Sequence, residues 1–269
     1  MYRGILGDCF LVTHVRTSGT RHMLIDCGAL QNVQDAGGAL DQKVVDAVGA
    51  AKLAAIRNSD GRIALIAANV RDTVLAEGGR IDRLVITHEH YDHISGFAVA
   101  RDVFADPALG IGELWMAWTE DPNDPRAVEL HERFDKGKSA MAPIGRIAGA
   151  GMDDDLADAV ALTNFMGPLT LPGEQGLSGK MTNRETLLFM KEKAGAGAIR
   201  YLSPGTVLTP DEGIGFRTYV LGPPKGDARL KKDTPSAGAN REVYLTSRDE
   251  AAIVERAARH RLMALAADG

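Results

Sequence analysis

The stretch LVITHEHYDHISGF, residues 84–97, decides how this sequence is read. Its first four residues are apolar or β-branched and close a run, IDRLVIT at 81–87, that reads as a buried strand. His88, His90, Asp92 and His93 follow at once, and a helical pattern runs from about Ile94 to Phe104. Imidazole and carboxylate are the side chains that hold zinc and similar divalent ions. Where a strand ends, its backbone leaves the ladder and closely spaced side chains can converge on one point. In extended geometry His88 and His90 point the same way. Asp92 and His93 then lie across the turn, placed to serve a second ion beside the first. Three histidines and one carboxylate at fixed offsets arise by chance in about six of ten thousand chains of this composition. Taken singly, each has a plainer reading: Asp92 as a cap of the following helix, any one histidine as surface or core filler. As a set they read as a metal site.

Upstream, CFLVTHV and HMLIDCG are short strand-like runs separated by RTSGT, which reads as the turn of a hairpin. Asp26-Cys27-Gly28 closes the second run with a tight exit. Cys9 and Cys27 meet at the open end of such a hairpin. Without CxxC spacing they read as small buried hydrophobes, reduced in a cytosol. Residues 41–57, with Val44, Val45, Val48, Leu53 and Ile56, carry helical spacing. So do residues 63–76, with Ile63, Ile66, Val70 and Val74, halted by Gly78-Gly79. Downstream, IGELWMAW at 111–118 is strand-like. This alternation predicts a layered α/β fold.

From residue 119 the character changes. TEDPNDP reads as a polar, Pro-broken linker, and 126–141, 153–165 and 182–193 read as helices joined by breaks such as MGPLTLPGEQG. Three portions are expected: 1–118 with the metal motif, 119–197 as a mainly helical insertion, and 198–269 as a return to the core. The last portion has strands at 199–202 and 216–221 and an amphipathic helix at about 248–265. There is no internal repeat or low-complexity tract.

The pattern HxHxDH after an apolar strand resembles the metallo-β-lactamase superfamily of metallo-hydrolases. The resemblance implies an αβ/βα sandwich of four layers. It implies that His88 and His90 help bind one metal, and Asp92 and His93 another, zinc being expected with manganese or iron as alternatives. LIDCG at 24–28 matches the family's strand-then-Asp-x-Gly element, so Asp26 takes the place of an aspartate that orients ligands without binding metal. Gly7-Asp8 resembles the opening of the subgroup related to the ComEC competence-protein hydrolase domain. IGELWMAWTEDP and FRTYVLGPP are similar to long, poorly characterised members of the superfamily. Where the motif usually continues with two glycines, this chain has Ser95-Gly96.

A complete two-metal site in that family takes another histidine, a bridging aspartate and a final histidine from later in the chain. His14 and His22 belong to the first hairpin and read as structural or exposed. His131 in AVELHERF and His260 in ERAARHRL are flanked by charges at helical spacing and read as solvated helix faces. No later GD plus HHGS-like segment is present. The expectation is an N-terminal half of the domain plus an insertion, with the natural gene continuing past Gly269.

With 269 residues, 45% hydrophobic and 25% charged, the composition is that of a globular protein. A net charge of −5 argues against broad binding to phosphate backbones, while a local patch depends on charge distribution and leaves nucleic acid open. Lys225, Arg229 and KKD at 231–233 read as a solvated loop. No uninterrupted apolar run reaches the length of a membrane span, and MYRGILGDCFLVTH has no secretory pattern. A cytoplasmic protein without a membrane partner is expected.

The chemistry expected is metal-dependent hydrolysis by an activated water, with Asp92 holding or orienting the nucleophile; no GxSxG elbow is present. The ComEC-like opening favours a phosphodiester or nucleic-acid-related substrate over other small molecules such as lactones, thioesters and amides. A non-catalytic module, acting as a partner-binding or scaffold domain through its helical insertion, is the competing reading. A di-iron oxidoreductase fits less well, because such relatives carry a carboxylate where this chain has His90.

Overall fold

Strands β1 (Cys9–Arg16) and β2 (Gly19–Cys27) form the expected hairpin, with Cys9 opposite Cys27. This is a computed structural model, and it describes residues 2, 7–30, 59–135 and 181–226. The helices expected at 41–57, 153–165 and 248–265, most of the later half of 126–141, the 231–233 run and His260 lie outside those residues.

Beyond the hairpin the sheet grows in chain order. Strand β3 (Arg80–Ile86) lies parallel to β2, β4 (Gly110–Ala117) parallel to β3, and β5 (Ile199–Leu202) parallel to β4, giving a five-stranded sheet in the order β1-β2-β3-β4-β5. Parallel neighbours need crossover connections. Helix α1 (Ser59–Ala76) precedes β3, helices α2 (Tyr91–Val99) and α3 (Arg101–Ala105) join β3 to β4, and α4 (Asn183–Ala194) precedes β5. Right-handed crossovers between strands laid down in chain order return each helix to the same face. The core agrees: Ile63, Val70 and Val74 of α1, Ile94 and Phe97 of α2, and Leu187 and Met190 of α4 form one buried cluster with Leu24, Leu84, Ile86, Leu114 and Met116 of the sheet.

The alternate residues Met23, Ile25, Val85 and Trp115 face the other way. They meet Leu208 and Ile214, which belong to the short ribbon of β6 (Val207–Leu208) and β7 (Thr218–Tyr219) and the loop between its strands. Arg83 lies over the Trp115 ring at 5.5 Å from its centre and Arg200 at 6.0 Å, and Arg200 also pairs with Glu212 of that loop at 3.1 Å.

Three differences from the sequence reading bear on function. The helix expected from Ile94 starts at Tyr91, so Asp92 and His93 sit in its first turn, and it breaks at Ala100 (φ −105°, ψ 39°). The strand expected at 216–221 shrinks to Thr218–Tyr219, because among the described residues the ribbon pairs only with itself. The polar stretch read as a linker opens with a 3-10 turn, Trp118–Glu120, whose Trp118 and Glu120 are buried, and the Trp118 indole N–H donates to the Pro223 carbonyl at 2.7 Å. Helix α4 starts on a capping box between Thr182 and Glu185 and packs into the common core. Among the described residues no helix is long and apolar enough to cross a membrane.

Candidate metal centre

Open parallel sheets place their binding sites at the carboxyl ends of the strands. Here the exits of β2 and β3 lie side by side, and each contributes. At the exit of β2, Asp26 adopts φ 51°, a left-handed conformation that aspartate tolerates better than most residues, and is 2% exposed. Its carboxylate collects hydrogen bonds from the Thr87 amide (2.8 Å), the Thr87 hydroxyl (2.6 Å) and His93 Nδ1 (2.9 Å). One buried acid thus ties the ends of β2 and β3 to the first turn of α2.

These bonds decide which ring nitrogens carry hydrogen. A carboxylate only accepts, so His93 Nδ1 donates and its Nε2 is left with a lone pair in the neutral ring. The single hydroxyl hydrogen of Thr87 goes to Asp26; towards His88 Nδ1, 3.0 Å away, Thr87 can only accept. His88 Nδ1 therefore donates, and its Nε2 lone pair faces His90 Nδ1 at 3.1 Å. The ring centre of His88 is 4.6 Å from that of His90 and 3.9 Å from that of His93. His93 Nε2 lies 3.5 Å from Asp92 Oδ2. Burial, with His93 and His90 close by, pushes His88 down to about 4. Burial lowers His93 as well, but the Asp26 hydrogen bond and the charges of Asp26, Asp92 and Asp8 carry it above its ordinary value.

A divalent ion fits these residues. Two donors about 2.1 Å from a tetrahedral ion are about 3.4 Å apart; the His88–His90 and His93–Asp92 pairs stand at 3.1 and 3.5 Å. Asp92 Oδ1 is buried and has no hydrogen-bond partner among the described residues. A buried carboxylate oxygen left that way is costly unless a cation takes it. Nor does Asp92 cap α2, whose N-cap position is His90 with no side-chain cap bond. Asp8, Asp26 and His93 also offer ligand atoms within 4.8 Å of one another. Because the His93 nitrogen facing both acids is the one that donates to Asp26, we read this trio as the hydrogen-bonded back of the centre rather than as its ion-facing side.

Tight backbone contacts hold the strand exits in place. A Cβ at Gly28 would stand 2.4 Å from the Asp92 carbonyl, and one at Gly96 would stand 2.6 Å from Cys27 Sγ. Ser95, where a second glycine is usual, is accommodated because its buried hydroxyl donates to the Ala29 carbonyl (3.0 Å) and accepts from the Ala29 amide (2.8 Å).

The sequence reading brought His88, His90, Asp92, His93 and Asp26 forward, and the fold gathers all of them at one strand-end edge. Thr87, Asp8, Glu120 and His131 were not assigned roles. Glu120 is buried and lies 3.5 Å from His131 Nε2, so His131 leans on an acid instead of sitting on a solvated face, and that contact raises its pKa. On the far side, Asn183 of α4 donates to the Glu89 carbonyl at 2.6 Å, tying that helix to the motif loop. His14 contacts the Ile214 carbonyl (2.7 Å), and buried His22 pairs with Thr13 (3.1 Å); both are parts of the fold rather than of the centre.

An imidazole–carboxylate cluster at the strand ends of a layered α/β sheet has the donor set and placement of a candidate metal site. Residues 3–180 match the family model of the metallo-beta-lactamase superfamily, and the chain belongs to that superfamily. No curated protein and no solved structure matched the chain.

Proposed function

We propose that this protein is a metal-dependent hydrolase that uses divalent ions, zinc in the first instance and two of them in the complete domain, to cleave a phosphodiester. In this reading His88 Nε2 and His90 Nδ1 serve one ion, and Asp92 and His93 Nε2 serve the other. Membership of a largely hydrolytic superfamily supports the reaction class. The observation that carries the site is the buried, unpartnered Asp92 Oδ1 beside three clustered imidazoles.

When bound, divalent ions would lower the pKa of water into the neutral range and offset the charge that builds up on the attacked group. The chain's own residues supply orientation. Asp26 keeps His93 turned by direct contact and His88 through Thr87. Asp92, as it ligates, would also hold or orient the attacking water. The preference for a phosphodiester rests on the ComEC-like Gly7-Asp8 opening. The net charge of −5 favours a short or small substrate over long nucleic acid.

Elemental analysis of the purified full chain, wild type against His88→Ala and Asp92→Asn, tests the site. Hydrolysis of bis(p-nitrophenyl) phosphate by wild type and His90→Ala tests the chemistry. Zinc in the wild type, its loss in the variants and turnover abolished in His90→Ala are expected. A wild type that takes up no zinc, manganese or iron overturns the reading. Metal without turnover on phosphodiester, lactone or thioester would favour the non-catalytic module.

A further inference from the structure

We infer that Asp8 is a positioning residue for the half of the centre built from Asp92 and His93; this rests on the reading just given. The segment before β1 is pressed between the exit of β2 and the first turn of α2. A Cβ at Gly7 would stand 2.4 Å from the Gly28 carbonyl oxygen, 2.6 Å from the Asp92 carbonyl oxygen and 2.8 Å from Ala29 Cα. That approach is closer than any residue with a side chain allows. Two backbone bonds then fix Asp8: its amide donates to the Asp92 carbonyl at 3.1 Å, and its carbonyl accepts from the Gly28 amide at 3.0 Å.

So placed, Asp8 Oδ2 lies 3.5 Å from His93 Nδ1, the nitrogen that Asp26 holds at 2.9 Å. The two acids approach that nitrogen from different surroundings, the Asp26 side chain 3% exposed and that of Asp8 45% exposed. Asp26 sets the direction of the Nδ1–H bond from within. Asp8 stands at the solvent side, limits the swing of the ring and puts a second negative charge behind it. Charge behind the donor nitrogen strengthens Nε2 as a ligand, and outer carboxylates of this kind are commonly worth tenfold or more in metal affinity. Because the two bonds that seat Asp8 are backbone bonds, replacing its side chain leaves them available and isolates the carboxylate.

The full chain, stripped of metal and titrated with zinc against a competing chelator, provides the test in wild type, Asp8→Asn, Asp8→Ala and Asp8→Glu. In Asp8→Asn and Asp8→Ala the second zinc equivalent weakens about tenfold. The first equivalent and the metal-free melting temperature stay unchanged, and Asp8→Glu recovers part of the loss. Both equivalents unchanged in Asp8→Asn and Asp8→Ala overturns the inference. So does a joint weakening of both with a lower metal-free melting temperature, which marks a merely structural role. Wild type binding two zinc ions while Asp8→Asn matches it sinks this inference alone; wild type binding none sinks the hydrolase reading with it.

Discussion

Thr87 carries more of the centre than its place as the residue before the motif implies. Its hydroxyl has one hydrogen, spent on Asp26, so its lone pairs hold His88 Nδ1–H and leave Nε2 aimed at His90. Thr87→Val keeps the branched shape and removes both bonds. It is expected to cost about 1 kcal/mol of stability in urea unfolding of the metal-free protein and to weaken zinc about tenfold. Thr87→Ser restores both, and zinc affinity unchanged in Thr87→Val would show that Asp26 does not act on His88 through Thr87. The sequence displayed the four motif residues because their chemistry is local and their spacing is tight. It did not display Thr87, whose partner lies 61 residues away in the chain, nor Glu120, hidden in a polar stretch that composition assigns to a linker. Asp8 was legible only as half of a dipeptide, since its meaning depends on where β2 and α2 end.

At the scale of elements, legibility follows periodicity. Strand β3 at Arg80–Ile86 and β5 at Ile199–Leu202 stand within a residue of their expected positions, β3 because a largely buried parallel strand reads as an apolar run and β5, half-buried throughout, because Gly197 and Pro204 bound a short β-type run. The ribbon misled for the opposite reason: Phe216, Tyr219 and Leu221 have strand-like character yet remain 46%, 58% and 90% exposed, and character alone does not provide a partner strand. Helix α2 is the element on which the centre depends most, and its distance from β2 is set at Gly96. A Cβ there would meet Cys27 Sγ at 2.6 Å, the Cys27 carbonyl at 2.7 Å and Ile63 at 2.8 Å, two of which belong to the strand that delivers Asp26. Gly96→Ala must therefore push α2 away from β2 and lengthen the His93–Asp26 contact. A loss of about 1–3 kcal/mol in urea unfolding is expected from overpacking, together with weaker zinc binding. Gly197→Ala, at a position where a Cβ meets nothing within 4 Å, serves as the control. Equal behaviour of the two variants would mean that the α2–β2 contact is not what fixes the site.

Across the whole molecule, the centre exists only when the sheet does. Its groups come from the segment before β1, the exit of β2, the end of β3 and the start of α2, and the β2–β3 pairing brings them together. An unfolded chain separates Asp26 from His93 by 67 residues of sequence, so the motif residues, although neighbours in sequence, lose the buried acid that orients them for an ion. An ion that binds the folded state and not the unfolded one stabilises by RT ln(1 + [L]/Kd), about 2.7 kcal/mol at a hundredfold excess over Kd. For a domain of this size that corresponds to a rise in melting temperature of roughly 5–10 °C. Zinc added to the metal-free protein is expected to produce that rise and EDTA to reverse it, as read by differential scanning calorimetry. His90→Ala and Asp92→Asn should lose most of the shift, whereas His14→Ala, remote from the centre, should lower the starting temperature and keep the shift. If zinc raises the melting temperature equally in His90→Ala and Asp92→Asn, the ion is held elsewhere, and the link between strand pairing and metal capture is broken.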